Sequence, residues 1–223
     1  MRVLRRVVFL LMTVGGVAAP AIAQSQFELK QGDRVVFYGD SITNQRRYTT
    51  FVETYVVTRF PRLDVWFVHS GWAGDRVTGG DAGPIDLRLQ RDVITSKPTV
   101  VTIMLGMNDG SYQPWNDDIF RKYSTGYQHI IDFIKSAVPG VRVTVIEPSP
   151  YDDVTRPANI GDGYNAVLVR YGQFVKELGE REHLSVADLN GPVVALLEAA
   201  KAKDPELAKS IIPDPSIRVR AAP

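Results

Sequence analysis

The sequence predicts a three-layer α/β/α sandwich, in which helices cover both faces of a parallel sheet. Two observations carry this prediction. Short runs rich in β-branched and aromatic residues alternate along the chain with longer runs whose apolar residues recur at helical spacing. One short run, Thr99 to Leu105, is almost entirely aliphatic, which is typical of a strand covered on both faces. Because strands and helices alternate, right-handed crossovers would place the strands parallel to one another.

Each element is placed by its own pattern. Strands are expected at 34–38, 64–68, 99–105, 141–146 and 184–187. Helices are expected at 48–60, 117–138, 164–182 and 193–203. The apolar residues that place the first of these helices are Phe51, Tyr55, Val56 and Phe60. The second helix carries an apolar face and is closed by a glycine, and neither internal repeats nor linkers interrupt the series.

Composition excludes several classes of function. The 223 residues are 44% apolar and 23% charged, which indicates one globular domain, assigned here to 24–214. The absence of cysteine excludes disulfides, thiolate nucleophiles and cysteine-ligated metals, and three histidines argue against a histidine-rich metal centre. The net charge is +1 without a basic run, so no nucleic-acid partner is expected. No cofactor is expected either.

The first 23 residues have the pattern of a secretory signal peptide. Arg2, Arg5 and Arg6 precede an apolar run, and a stretch of small residues ends in Ala-Ile-Ala before Gln24. The apolar run is shorter than the about 20 residues of a membrane span, so cleavage is expected rather than anchoring. The sequence therefore predicts a secreted or periplasmic protein without a stable membrane span.

The first loop of interest follows the first strand and reads Gly39-Asp40-Ser41. In an open parallel sheet the site lies beyond the carboxyl ends of the strands, so a serine at this position would project its hydroxyl into the crevice. The alternative is a structural role, in which Ser41 or Thr43 caps the next helix and Asp40 accepts hydrogen bonds from turn amides.

Two further loops follow the next two strands. The second is glycine-rich around Gly74, and glycine allows a backbone N–H to approach an oxyanion closely. The third places Asn108 after the most buried strand, where its side-chain amide could be another donor. A flexible surface loop and a simple Asx turn are the alternatives, but three such loops at successive strand ends favour one shared site.

The segments Gly39-Asp40-Ser41, Gly74 and Gly106-Met107-Asn108-Asp109 resemble, in order and spacing, signature blocks of the SGNH/GDSL hydrolases. The resemblance implies a flavodoxin-like sheet and serine esterase chemistry. It further implies that Ser41 is the nucleophile and that the Ser41 N–H, the Gly74 N–H and the Asn108 amide form the oxyanion hole. Pocket-lining roles are expected for three residues: Asp40, Trp72 and Tyr151.

The resemblance fails at the general base. The family supplies an Asp-x-x-His motif near the C-terminus; Asp214 matches its aspartate, but Ile217 stands where the histidine belongs. The terminal helix that normally follows is absent as well. The codons of Pro-Ser-Ile-Arg permit a parent reading Asp-Arg-Val-His-Pro in another frame, so 215–223 is interpreted as an out-of-frame tail. His69 is the alternative base.

The sequence thus predicts an exported serine ester hydrolase, a GDSL-type lipase or acylhydrolase or a carbohydrate acetylesterase, impaired by loss of the histidine. Its expected partner is a small-molecule ester or an acylated carbohydrate. The alternative is a non-catalytic module that binds carbohydrate or acyl ligands.

Overall fold

The computed structural model describes residues 29–156, 158 and 160–205. The predicted signal peptide, Asp214, Ile217 and the tail 215–223 lie outside the described residues.

Five parallel strands form the main sheet, in the spatial order β2-β1-β5-β6-β7. Two short segments, β3 and β4, pair separately as an antiparallel hairpin. The strands run as follows: β1 Arg34–Gly39, β2 Trp66–Gly71, β3 Gly79–Gly80, β4 Gly83–Pro84, β5 Val100–Met104, β6 Arg142–Ile146 and β7 Ser185–Ala187. This is the flavodoxin-like order, and its direction of winding reverses between β1 and β5. The ends of those two strands are therefore where a site is expected.

Six α-helices flank the sheet in the described residues: α1 Ser41–Asn44, α2 Arg47–Arg59, α3 Ile85–Asp92, α4 Asp117–Ala137, α5 Tyr164–Glu182 and α6 Asn190–Lys203. The predicted α/β/α class and all five predicted main strands are confirmed, with bounds that shift by one to three residues. The sequence analysis did not predict α1, α3 or the hairpin, because each is too short to show a period.

The larger core lies on one face of the sheet. Val36 and Tyr38 of β1 point into it, and α3, α4 and α5 cover it. The inner face of α4 is fully buried: Tyr123, Tyr127, Ile130, Ile131 and Ile134. The hydroxyl groups of its two tyrosines donate to carbonyl oxygens at the end of β5. This packing fixes the end of β5, and with it the loop that carries Asn108.

The opposite face is thinner, and it corrects one prediction. Two of the four apolar residues whose helical spacing predicts α2 do not face the core, because Phe51 is 74% exposed and Tyr55 55% exposed; Val56 is buried, as is Thr49. The helix instead makes a polar contact with the sheet, from Glu53 to a histidine of β2. Arginine and threonine residues break the apolar stripe of α2, so spacing alone misassigned its inner face.

No helix among residues 29–205 that the structure describes is long and apolar enough to cross a membrane.

Candidate active site

The end of β1 turns sharply into α1. A Cβ on Gly39 would lie 2.3 Å from the Thr43 hydroxyl oxygen and 2.6 Å from the Met104 carbonyl oxygen, so only glycine fits there. Asp40 caps α1, because its Oδ1 accepts a hydrogen bond of 2.9 Å from the Ile42 N–H. The cap makes Ser41 the first residue of the helix, directly beyond the strand end and half-buried.

Asp40 is 2% exposed. Burial, together with the negative charges of Asp109 and Asp75, raises the pKa of its carboxyl to about 7, against the hydrogen bond from Ile42. The expectation that Asp40 lines the substrate pocket is therefore corrected: a buried carboxyl group that caps a helix presents no surface to a ligand. It supports Ser41 from beneath.

The loop after β2 packs against the turn that carries Ser41. The Trp72 N–H donates to the Gly39 carbonyl oxygen over 3.0 Å. Gly74 follows with a φ of +78°, and nothing lies within 4 Å of the place a Cβ would occupy. In the described part of the chain, neither the Ser41 N–H nor the Gly74 N–H has a hydrogen-bond acceptor. Both are available to a ligand.

Asn108 reaches across from the loop after β5. Its Nδ2 donates to the Asp75 carbonyl oxygen over 2.9 Å, and its Oδ1 accepts from the Tyr112 hydroxyl over 3.2 Å. This is not the Asx turn that was the structural alternative, because Oδ1 accepts from a tyrosine hydroxyl and not from the backbone N–H two residues on. One N–H of the amide remains beside Gly74, the residue that precedes Asp75.

Asp109, the next residue, also joins the two loops. Its Oδ1 accepts a hydrogen bond of 2.9 Å from the Val77 N–H in the described structure. Burial raises the pKa of its carboxyl to about 7, although the Val77 N–H and the charge of Arg76 act in the opposite direction. The loops that carry Gly74 and Asn108 are therefore joined by hydrogen bonds, and the loop that carries Gly74 packs against the turn that carries Ser41.

Arg88 of α3 anchors the loop that carries Gly74, and the sequence analysis did not identify it. Its side chain is buried; Nε donates to Asp75 over 2.8 Å, and a second guanidinium nitrogen donates to the Ser70 carbonyl oxygen over 3.1 Å. The guanidinium group also pairs with Asp92 and lies over the rings of Tyr38 and Trp72. The signal in the sequence that could have identified Arg88 as a buried residue was its position between two leucines.

The aromatic residues that line the candidate site differ from those expected from the sequence. Trp72 is 45% exposed beside the strand end, as a pocket-lining residue should be. Tyr151 is only 9% exposed, because Tyr112 and Tyr164 pack against its ring, so its expected contact with substrate is corrected. Tyr112, which the sequence analysis did not single out, is 46% exposed and presents the accessible ring.

All three histidines of the chain lie among the described residues, and none forms a hydrogen bond with Ser41 there. His69 lies 3.3 Å from Glu53 of α2 and packs on Phe37, on the thin face of the sheet. His129 binds Asp86, and His183 ends α5 in a left-handed conformation. The alternative that His69 serves as the base therefore has no contact to support it.

Within the ranges that the structure describes, no group of three histidine or carboxylate side chains is arranged to hold a metal ion.

With this geometry in place, comparisons with known proteins locate the chain. A sequence profile described as the GDSL-like Lipase/Acylhydrolase family matches residues 37–210. An acetylxylan esterase from Geobacillus stearothermophilus is 24% identical over 186 residues, which cover 72% of this chain and 78% of the esterase.

Solved structures have the same fold. A gut microbial diltiazem-metabolizing enzyme superposes with a TM-score of 0.71 at 28% identity over 81% of this chain; the match spans only 42% of that protein. The crystal structure of Axe2, an acetylxylan esterase from Geobacillus stearothermophilus, superposes with a TM-score of 0.59 at 22% identity, covering 79% of this chain and 84% of Axe2.

Proposed function

Since this chain belongs to the GDSL-like lipase/acylhydrolase family, we propose that it is a serine ester hydrolase that acts on small acetyl esters, in particular acetylated carbohydrates. One observation carries the proposal: the hydrogen bond from Asn108 to the Asp75 carbonyl oxygen. It holds the Asn108 amide, in the loop after β5, beside the free Gly74 N–H, in the loop after β2. Both loops lie at the strand ends where Ser41 begins α1.

The chemistry follows from these positions. The Ser41 Oγ attacks the ester carbonyl carbon and passes its proton to a base, and the carbonyl oxygen becomes an oxyanion. The N–H groups of Ser41 and Gly74 and the remaining N–H of the Asn108 amide donate to that oxyanion. Collapse expels the alcohol, which takes up the proton, and water then hydrolyses the acetyl-serine. Each donor contributes on the order of 3 kcal/mol to stabilisation of the transition state.

The general base is the missing part. The family motif calls for a histidine at position 217, which is Ile217 here; His69 and His129 are engaged with carboxylates elsewhere, and His183 lies at the end of α5. A serine hydroxyl without a base is a poor nucleophile. We therefore infer that the chain as given turns over slowly, and that the frame-shifted tail 215–223 is the cause.

Two observations support acetylated carbohydrate as the substrate class. The acetylxylan esterase relative matches most of the chain. Exposed aromatic rings of Trp72 and Tyr112 flank the loops that carry Gly74 and Asn108, and flat aromatic faces suit the apolar faces of sugar rings.

The test uses the purified full chain and a chromogenic acetyl ester. A second variant carries Pro215→Arg, Ser216→Val, Ile217→His and Arg218→Pro, which restores the Asp-x-x-His motif, and each form is paired with Ser41→Ala. We expect slow turnover for the chain as given, and an increase on restoration that Ser41→Ala abolishes. A restored variant whose rate does not depend on Ser41 would contradict the proposal.

The engaged histidines also favour a second candidate, a non-catalytic module that binds acylated carbohydrate in the same crevice. Calorimetric titration with acetylated xylo-oligosaccharides separates the two. Binding by the chain as given, with equal background hydrolysis for Ser41→Ala and restored forms, would support the module and exclude the hydrolase.

We further propose that the protein is exported, because 1–23 has the charge, apolar run and Ala-x-Ala ending of a signal peptide. Expression in a Gram-negative host followed by N-terminal sequencing tests this. A mature chain that begins at Gln24 outside the cytoplasm is expected; an intact Met1 in the cytoplasmic fraction would refute it.

A further inference from the structure

Tyr112 lies four residues after Asn108, in the loop after β5, and its hydroxyl donates to the Asn108 Oδ1 over 3.2 Å. A carboxamide can rotate by half a turn and exchange its oxygen for its nitrogen. Here the two ends have partners of opposite type: a hydroxyl that can donate faces Oδ1, and a carbonyl oxygen that can only accept faces Nδ2. Together the partners select one orientation.

We propose that Tyr112 is a positioning residue for Asn108: its hydroxyl holds Oδ1, so that the second N–H of the carboxamide is kept for the oxyanion. This inference rests on the proposed function only in naming an oxyanion as the group that the N–H stabilises. The hydroxyl also polarises the amide, because a hydrogen bond accepted at Oδ1 makes the N–H groups better donors.

The backbone supports the inference. Ser111 and Tyr112 both adopt left-handed conformations, with φ values of 56° and 53°, although neither is a glycine. Such conformations are unfavourable for L-residues other than glycine. The two left-handed residues reverse the chain so that the residue-112 side chain returns to Asn108, and the Ser111 N–H closes the turn on the Asn108 carbonyl oxygen. Backbone strain of this kind tends to accumulate at functional sites.

The ring of Tyr112 offsets part of this cost. It packs on Tyr164 with ring centroids 4.9 Å apart and on Tyr151 at 6.1 Å. Tyr164 is itself tied to the loop by a hydrogen bond of 2.7 Å to the Met107 carbonyl oxygen. Burial and the nearby Asp40 charge raise the pKa of Tyr112.

If Tyr112 only packed against its neighbours, its ring would be needed and its hydroxyl would not. Tyr112→Phe separates the two roles, because it keeps the ring contacts and removes the hydrogen bond. Tyr55→Phe is the control, since it removes a hydroxyl from an exposed tyrosine of α2.

The first measurement does not need turnover. In the full chain labelled with ¹⁵N-asparagine, the side-chain amide signals of Asn108 are assigned by their loss in Asn108→Asp. We expect Tyr112→Phe to shift these signals and speed their exchange with water, while Tyr55→Phe leaves them in place. Unchanged Asn108 signals in Tyr112→Phe would overturn the proposal.

The second measurement is kinetic and uses the variant with the restored Asp-x-x-His motif. We expect Tyr112→Phe to lower kcat about tenfold with KM within about twofold, because loosening a donor costs less than removing it. Equal kcat values for Tyr112→Phe and Tyr55→Phe would also overturn it. If Ser41→Ala shows that the chain is not a serine hydrolase, the amide signals still decide whether Tyr112 positions Asn108.

Discussion

The side-chain amide of Asn108 lies 2.9 Å from the Asp75 carbonyl oxygen, although 33 residues separate the two. This hydrogen bond connects the loop after β5 to the glycine-rich loop after β2, across the end of β1. It positions a side-chain donor next to the Gly74 N–H without help from any regular element. The oxyanion hole that we propose therefore depends on contacts between loops.

Asn108→Ala removes both the donor and the link. In the restored variant we expect kcat to fall by roughly 10²–10³-fold, the usual effect of losing one oxyanion donor. Stability should fall by about 1–3 kcal/mol, since the buried Asp75 carbonyl oxygen loses its partner. Steady-state kinetics and urea denaturation measure the two effects. Gln90→Ala, at an exposed position of α3, is the control; an Asn108→Ala enzyme that matches it in kcat would contradict the proposed hole.

Arg88→Met tests the buried anchor of the same loop. It leaves the Asp75 carboxylate buried without its cation, and breaking a buried ion pair typically costs about 3–5 kcal/mol. Arg91→Met is the matched control on the same helix, because Arg91 is 45% exposed and water screens its pair with Asp92.

Chemical denaturation of both variants measures the difference. Adding Asp75→Asn to Arg88→Met should recover part of the loss, since the uncompensated charge is then gone. Equal stability of the Arg88→Met and Arg91→Met proteins would show that the buried pair does not anchor the loop.

The sequence was informative where a pattern repeats or a motif is local. Strand β5 could be predicted because it is almost entirely aliphatic, and the expected placement of Ser41, Gly74 and Asn108 followed from the rule that parallel strands end at one edge. Arg88 could not be found in this way, because its partners become neighbours only when α3 folds against the loop. For the same reason the sequence pointed to Tyr151 and gave no sign of Tyr112, because the exposure of a tyrosine depends on tertiary packing and not on residue type.

Gly71, the last residue of β2, and Gly74, in the loop that follows, should respond differently to alanine. A Cβ on Gly71 would lie 2.2 Å from the Asn44 nitrogen and 2.6 Å from the Thr43 carbonyl carbon, both backbone atoms that cannot move aside. A Cβ on Gly74 would meet open space, so its only cost is the positive φ, about 1–2 kcal/mol. We expect Gly71→Ala to lower the melting temperature more than Gly74→Ala does.

The catalytic activity of Gly74→Ala should not follow its stability. Gly74→Ala should fold, yet lose activity in the restored variant. An alanine at position 74 would relieve the strain of its positive φ by rotating the backbone, and this would turn the N–H away from the oxyanion hole to which we assign it. A Gly74→Ala protein with full activity would remove that N–H from the mechanism, whatever its stability.

Stability should fall as pH rises from about 4 to 7. The pKa values of Asp40 and Asp109 are each raised by burial from 3.8 to about 7, so the folded protein binds protons in this window that the unfolded chain has released. Under proton linkage, stability decreases with pH wherever the native state holds more protons. The raised pKa of Asp75 acts in the same direction, whereas the lowered pKa of Asp33 acts only below this window.

Asp40→Asn isolates one contribution, because the amide oxygen can still accept the Ile42 N–H while the group stays neutral at every pH. Melting temperatures at pH 4.5 and 7.5 should therefore differ less in Asp40→Asn than in the unaltered chain, and the variant should be the more stable protein at pH 7.5. Asp81→Asn, at an exposed position, should keep the original pH dependence. An unaltered chain whose melting temperature rises between pH 4.5 and 7.5 would contradict this linkage, because the buried carboxyl groups of Asp40 and Asp109 would then not hold extra protons in the folded protein.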